Sequence, residues 1–568
     1  MKKSILYSFL ITTTSIFFSS CDSYLNPGYD EYLDKDEVFT SYTYANNYVR
    51  TVYSYLPGDA YNETLMTDEA KHNDDASSYL IMNNGVWDSR TYIEAWRWSH
   101  YYSGIRRVHV LLENLDTAVF LDPNTYKLTP WVNDAMRVQF RAEARFLRAF
   151  YYFELLKRFG SPEENLGVPI VPERSLTITD TLDYARSTYQ QCVDYIVNEC
   201  DEVAKILPNR QPATNYAAAS KAAALALKSR LLLYVASPLA NNGAYDIEKC
   251  KLAIKAAKDV LGLPTYKLVD KTVATSDNML SIFTKPNNDE VLFSSSVSQS
   301  NSFESSNFPP SYGGGGQINP TQEMVDAFET IFGYPTSDLT NSRYNPLDPY
   351  YRRDKRLDYF VLLNGTKLTS TATVSVDSYV GGKDGLNSSK KATQTGYYIR
   401  KFMDPAADII NNRTKATHFW VHFRLAETWL NYAEAVNAVY GPNVVPPDTT
   451  FTAFDALKKI RDRVGLTSPA TMKTLSKENF MERVKSERRV ELCFEGHRFW
   501  DVRRWKEGEK YFNTTVHGMK ITKTGSTTWS YEVFPVENRV FDAKMYTMPI
   551  PYSEMQKSTL LIQNKNWN

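Results

Sequence analysis

The sequence has only five cysteines, at Cys21, Cys192, Cys200, Cys250 and Cys493. None forms a Cys-x-x-Cys pair, so neither a zinc ribbon nor a dithiol redox motif is present. Cys192 and Cys200 fall in one predicted helix, ~12 Å apart along its axis, too far for a disulfide between them. The four later cysteines are expected as buried free thiols. Net charge is also lacking, since 65 Lys and Arg balance 65 Asp and Glu. A balanced chain gives no electrostatic case for nucleic acid or an anionic membrane surface. Beyond the N-terminus no apolar run reaches the ~18 residues of a membrane-spanning helix. There is no Gly-x-Ser-x-Gly elbow, no phosphate loop and no dinucleotide fingerprint, and the glycine run Gly313 to Gly316 is not followed by Lys-Ser/Thr. His418 and His422 are four apart on a predicted helix, but no glutamate follows the first, so the zinc-protease motif is not met. Asp34, Asp36 and Glu37 cluster without the glycine of a calcium loop. No cofactor and no metal are expected.

Aromatic residues are plentiful: 14% of the chain, with 39 Tyr and 10 Trp. Tyr and Trp join an apolar body to a polar tip, which suits cores and recognition surfaces alike. The stretch around which the chain is organised is Arg141–Gly160, RAEARFLRAFYYFELLKRFG. Ala142, Phe146, Ala149, Phe150, Phe153, Leu156 and Phe159 form one broad helical face. Arg141, Arg145 and Arg148 form a second stripe, with Glu143 and Glu154 nearby. Gly160 followed by Pro162 is a helix stop. The stretch reads as a scaffold helix with structural ion pairs.

At the N-terminus, Met1-Lys-Lys3 is basic and Ile5 to Phe18 is mostly apolar, as in a signal peptide. Ser19, Ser20 and Cys21 complete a pattern like a lipoprotein cleavage box, with Phe18 where Leu is commoner. Residues 1–20 are the expected signal peptide and Cys21 the expected lipid attachment site, several acyl chains giving firm anchoring. Asp36 to Leu56 reads as helix. Residues 67–75 are polar. Residues 76–90 are turn-rich around Asn83-Asn84-Gly85 and carry Tyr79, Trp87 and Arg90. A loop Trp is placed to stack on a sugar ring or a peptide side chain. Thr91 to Asn114 returns to helix, where at least one of Trp96 and Trp98 must face inward.

Three helix pairs recur: 134–160 with 181–207, 215–236 with 246–262, and 418–439 with 451–464. Their Ala-rich first helices and similar endings look like degenerate tetratricopeptide units, which stack into a solenoid. The fold class is therefore mainly α: a tetratricopeptide-like solenoid over about 36–267 and 418–568, interrupted by a large irregular insertion, about 268–417, containing short β-hairpins. In the insertion, 291–294 reads as strand and 321–332 as helix. Thr371 to Asp377 alternates as a strand, with Ala372, Val374 and Val376 on one face. The Ser-, Asn-, Pro- and Gly-rich stretch 294–317 carries Phe303, Phe308 and Tyr312, which are expected to face a ligand opposite Trp87.

Near the C-terminus, 480–505 reads FMERVKSERRVELCFEGHRFWDVRRW. Glu487, Glu491 and Glu495 lie four apart, and Arg488 is set to brace the helix. Two such carboxylates suggest a glycosidase pair, but dense arginines would keep both ionised, which is wrong for the acid.

These motifs carry a resemblance. The helix RAEARFLRAFYYFEL with Phe159-Gly160 and Gly167-Val-Pro-Ile-Val171, the pattern ERRxELxFEGxRFxDxxRW, and the ending Met548-Pro-Ile-Pro551…Gln563-Asn-Lys-Asn-Trp567 resemble the SusD/RagB family of Bacteroidetes outer-membrane lipoproteins. The resemblance implies a single domain over 21–568, no enzymatic activity, and a cell-surface protein that binds an oligosaccharide and passes it to a SusC-like TonB-dependent transporter. The alternatives left open are a peptide ligand, as in the RagB branch, a lipid-anchored glycan hydrolase, and a structural cap whose ligand contacts lie in the transporter. The expected ligand residues are Tyr79, Trp87, Arg90, Phe303, Phe308 and Tyr312.

Overall fold

A computed structural model describes residues 35–567, apart from 59–60, 123–124, 126, 177–178, 181–182, 270–275, 370–371 and 412–413. The signal peptide and Cys21 lie outside the described residues.

The helical body consists of α1 (Tyr42–Tyr53), α2 (Trp96–Asn114), α3 (Pro130–Phe159), α4 (Tyr189–Ala204), α5 (Lys221–Ala236), α6 (Ile247–Leu261), α7 (Leu425–Tyr440), α8 (Ala453–Asp462) and α9 (Lys477–Glu491). From α1 to α8 each helix packs on the next in chain order, and α9 joins α8 on α7. That succession is a solenoid. α6 packs on α7 although the whole insertion separates them in sequence. Local chemistry sets the boundaries. Pro130 opens α3 behind an extended Thr129, and Gly160 closes it with its N–H on the Leu156 carbonyl at 2.9 Å. Capping boxes start α4 (Thr188 with Gln191) and α8 (Thr452 with Asp455). α5 is buried almost all round, and its alanines let α4, α6 and α7 approach closely.

The scaffold helix α3 has the expected inward face, and its arginines are paired. Arg145 and Arg148 share Glu199 at 2.6 and 2.8 Å, and Arg141 reaches Asp116 at 2.6 Å. Burial opposes ionisation of Glu154, but Lys157 and Arg158 outweigh it and hold the carboxyl at about 2. Glu143 has no cation partner among the described residues. Its partners are the Tyr53 hydroxyl at 2.6 Å and Gln139 at 2.7 Å, and burial lifts it to about 7.

Three expectations need correction. The helix expected from 418 begins at Leu425. Residues 417–424 instead form β7 (Thr417–His418) and β8 (Val421–Arg424), which pair with β3 (Ser298–Gln299) and β2 (Val291–Ser294). The apolar face of Phe419, Trp420, Val421 and Phe423 is that of a buried ribbon, so His418 and His422 are not one helical turn apart. The strand expected at 371–377 is not a ladder among the described residues. Val376 is buried and bonded to Gly365 and Thr366, while Val374 is exposed. Finally, part of the C-terminal region leaves the solenoid. The hairpin β9 (Thr515–Lys523) with β10 (Trp529–Asn538) lies on the insertion. Met519 donates to Thr395 O at 2.7 Å, and Ile521 O accepts from Val380 at 2.8 Å. Met519 and Ile521 enter a second core with Phe303, Phe308, Phe360 and Tyr398.

The seam between the two cores is ionic. Lys401, Arg356, Arg424, Arg461, Arg463 and Arg483 face Glu290, Glu329, Asp354, Glu487, Glu491 and Glu495, so cations and carboxylates match in number. Arg424 spans Glu290 (3.0 Å), Glu491 (2.7 Å) and Glu495 (2.7 Å). Burial disfavours charge on Glu491, yet Arg463, Arg424 and Arg356 together hold it well below the usual carboxylate range. The arginine-rich C-terminal motif is thus a structural rivet. Gly496, at φ +77°, turns the chain into the short helix α10 (His497–Arg504), and Phe499, Trp500 and Trp505 pack back on the body as expected.

Candidate functional site

The structure divides the six expected ligand residues. Trp87 is 2% exposed, packed on Trp567 at 4.4 Å and Tyr92 at 5.9 Å. A buried indole presents no face to a ligand, so Trp87 is a core residue that pins the chain end. Arg90 is exposed, but its guanidinium lies 4.3 Å over the Tyr552 ring, beside the same chain end. Of the two helical tryptophans, Trp98 faces inward and Trp96 is 46% exposed. Phe308 is 2% exposed, in the insertion core, and is corrected likewise. Phe303 lines a cleft beside the end of α1. Only Tyr79 and Tyr312 are half-buried surface residues on segments that converge.

The convergence is built by β1 (Ala70–His72) pairing with β4 (Ile318–Pro320), with His72 opposite Ile318. Beyond β1, Asn73 acts as a bridge. Its N–H donates to Gln317 O (3.0 Å), its Nδ2 to Gly315 O (2.8 Å), and its carbonyl accepts from Gln394 Nε2 (2.7 Å). Gln394 N–H in turn donates to Asn319 Oδ1 (2.9 Å). Loop 72–79, the glycine run and the segment 390–394 are therefore one surface. The run needs glycine: a Cβ on Gly314 would stand 2.1 Å from Phe308 O, and one on Gly316 2.2 Å from Lys391 O at φ +55°.

This platform presents polar groups beside rings. His72 and Tyr79 have ring centroids 5.9 Å apart. The Tyr79 hydroxyl donates to Asn62. His72 Nδ1 accepts the Asp74 N–H at 3.0 Å, and burial lowers its pKa, so the ring is neutral with its proton on Nε2. Asp74 and Asp75 are exposed. A hydrogen bond from Lys71 at 2.6 Å holds the Asp75 carboxyl below its ordinary value. Ionised carboxylates accept several hydrogen bonds, and a ring beside them supplies an apolar face. The combination suits a ligand dense in hydroxyls. Sequence reasoning missed His72, Asp74, Asp75 and Gln394. The polar run 67–75 was visible, but only the tertiary bridge through Asn73 gives it a partner surface. Tyr312 borders the glycine run, its hydroxyl donating to Val374 O.

Among the described residues no group of three or more His, Cys, Asp and Glu is placed to hold a metal ion. The Glu491 and Glu495 carboxyls are buried and held low, lacking both the access and the raised pKa of a general acid.

With this geometry in hand, two family models match: "SusD family" over residues 270–567, and "Starch-binding associating with outer membrane" over residues 24–233. The chain belongs to the SusD family. SusD-like protein P38 of Formosa agariphila is 23% identical over 437 residues, covering 74% of each chain. A SusD-like protein from Bacteroides fragilis is 26% identical with a TM-score of 0.76, covering 94% of this chain and 99% of that one. Surface glycan-binding protein A from Bacteroides thetaiotaomicron, solved with laminarihexaose, is 17% identical with a TM-score of 0.61, covering 92% of this chain and 99% of that one. The last likeness concerns the fold alone. No helix of this SusD-like chain, among the described residues, is long and apolar enough to cross a membrane.

Proposed function

We propose that this SusD-like protein captures oligosaccharides at the cell surface, on the platform formed by residues 72–79, 313–317 and 390–394, and hands them to a SusC-like TonB-dependent transporter. The observation that carries the reading is the juxtaposition of the exposed Asp74 and Asp75 carboxyls with the His72–Tyr79 ring pair on a hydrogen-bonded base. The family description "starch-binding" and a structural neighbour solved with laminarihexaose support a saccharide. Lipidation at Cys21 after removal of residues 1–20 anchors the protein in the outer membrane, facing outward, and the protein is not an enzyme. Trp87, Arg90 and Phe308 take no part in binding.

The test is calorimetric titration of the chain from residue 22 with neutral hexasaccharides, laminarihexaose among them, and with mixed peptides, alongside Asp75→Ala and Tyr79→Ala. Saccharide binding weakened in both variants supports the reading. Binding of peptides alone contradicts it in favour of a RagB-like role. Mass spectrometry of the membrane-extracted protein tests the acylated Cys21.

A further inference from the structure

The family relationship leaves one motif unused: the alternating run Ser296-Val-Ser-Gln-Ser-Asn-Ser302. An extended chain sends alternate side chains to opposite sides, and from Ser296 to Ser300 the two sides do different work, before Asn301 turns the chain into a short helix that opens at Ser302. Val297 packs against the insertion core, Gln299 donates to Thr417 Oγ1 at 3.0 Å, and Asn301 binds the carbonyls of Asp408 and Thr414. Those residues fasten the ribbon. Ser296, Ser298, Ser300 and Ser302 all line a cleft of about 520 Å³, within the ~300–1,000 Å³ usual for small-molecule sites. Ser300 and Ser302 bond each other at 2.8 Å, while the hydroxyls of Ser296 and Ser298 meet no protein partner among the described residues.

The cleft floor is aromatic and continuous. Phe402 stands 5.2 Å from Trp420 and 6.2 Å from Phe303, ring to ring. Each ring is nearly buried and lines the cleft. The end of α1 also lines the cleft, where Tyr53 is fixed by Glu143 and Arg50 is exposed. His418, the other basic lining group, is bonded to Glu304 at 2.9 Å. Among the described residues no carboxylate lines the cleft. An apolar floor facing a row of neutral donor–acceptor hydroxyls is complementary to a sugar ring, whose C–H face is apolar and whose rim is hydroxylated.

We propose that this cleft is a second saccharide site, distinct from the platform and taking a neutral pyranose unit. It is built from other segments: α1, the 295–303 ribbon and the β7–β8 connection. The proposal rests on the reading that the ligand is a saccharide, and tryptophan separates the two sites, because the platform carries none and the cleft carries Trp420. The chain from residue 22, labelled with 5-fluorotryptophan, is titrated to millimolar laminarihexaose, maltohexaose, cellohexaose and xylohexaose. The Trp420→Phe variant assigns the resonance, and heat is measured in parallel. At least one sugar is expected to shift the Trp420 resonance saturably. The shift should persist in Asp75→Ala/Tyr79→Ala and require about tenfold more sugar in Ser296→Val/Ser298→Val, through two lost hydrogen bonds. Those serines are surface residues on an extended ribbon, where valine is favourable, so the variant is expected to melt like the parent. Platform-dependent heat with an unmoved Trp420 signal overturns the second site alone. A moving Trp420 signal with heat insensitive to the platform variants overturns the platform alone. Neither signal overturns both.

Discussion

Glu491 at the seam touches Arg356, Arg424 and Arg463, and no part of it reaches water. Asp74 on the platform lies in the open and forms no ion pair among the described residues, and Asp75 shares only Lys71 and Gln394. The Glu491 and Asp75 carboxyls are both held below their ordinary values, for different reasons. At the seam a dense cage of arginines defeats the cost of burial. On the platform, a hydrogen bond from Lys71 lowers Asp75. Enclosed acids whose two oxygens both meet cations hold two cores together, whereas exposed acids with few partners are free to meet a ligand.

Substitutions can break this contrast in order of effect. Glu491→Gln removes the charge shared by three buried guanidiniums, and a loss of about 3–5 kcal/mol is expected. Denaturant unfolding should show it, and any loss of sugar binding should follow the folded fraction. Trp87→Ala opens the Trp567 contact and should cost about 3–4 kcal/mol. Affinity per folded molecule should stay at the parental value, since the indole is a core residue. Asp75→Ala should do the reverse. Stability changes by about 0.5 kcal/mol or less, while affinity falls about tenfold or more, read by calorimetry.

Stability should also depend on pH. Burial, with Asp68 beside it, lifts the Glu69 carboxyl to about 8. Folded Glu69 therefore holds a proton at pH 7 that the unfolded chain, titrating near 4.5, releases. This contribution is complete below pH ~4.5 and is lost as pH rises through about 8. Glu69→Gln should remove that decline, so the variant gains on the parent in melting temperature between pH 5 and pH 8.5 as measured by calorimetry. A constant difference across the range would show that Glu69 is ionised in the fold.

The solenoid was legible because its signals are local. α3 has a helical face and a glycine stop, although it begins at Pro130 and not at the expected 134, and α4, α5, α6 and α8 lie inside their expected spans. The insertion was less legible because its order comes from distant partners. The 417–424 segment is a strand only because 291–299 lies beside it. The β9–β10 hairpin went unread although Val516, Met519 and Ile521 are buried within it. At the site, a tryptophan on a turn-rich segment drew attention, yet burial against Trp567 is a contact between residues hundreds of positions apart. The polar run 72–75 had no local mark of function. Its partners, Gly315 and Gln394, are supplied by the fold.

The most direct measurement compares saccharide binding by Asp75→Ala/Tyr79→Ala and by Trp87→Ala at equal folded fraction, by calorimetry against one hexasaccharide that the parent binds. The platform account predicts heat strongly reduced in the first variant and unchanged in the second. Parental affinity in the platform variant, with binding lost in Trp87→Ala, would contradict it and move the site to the chain end.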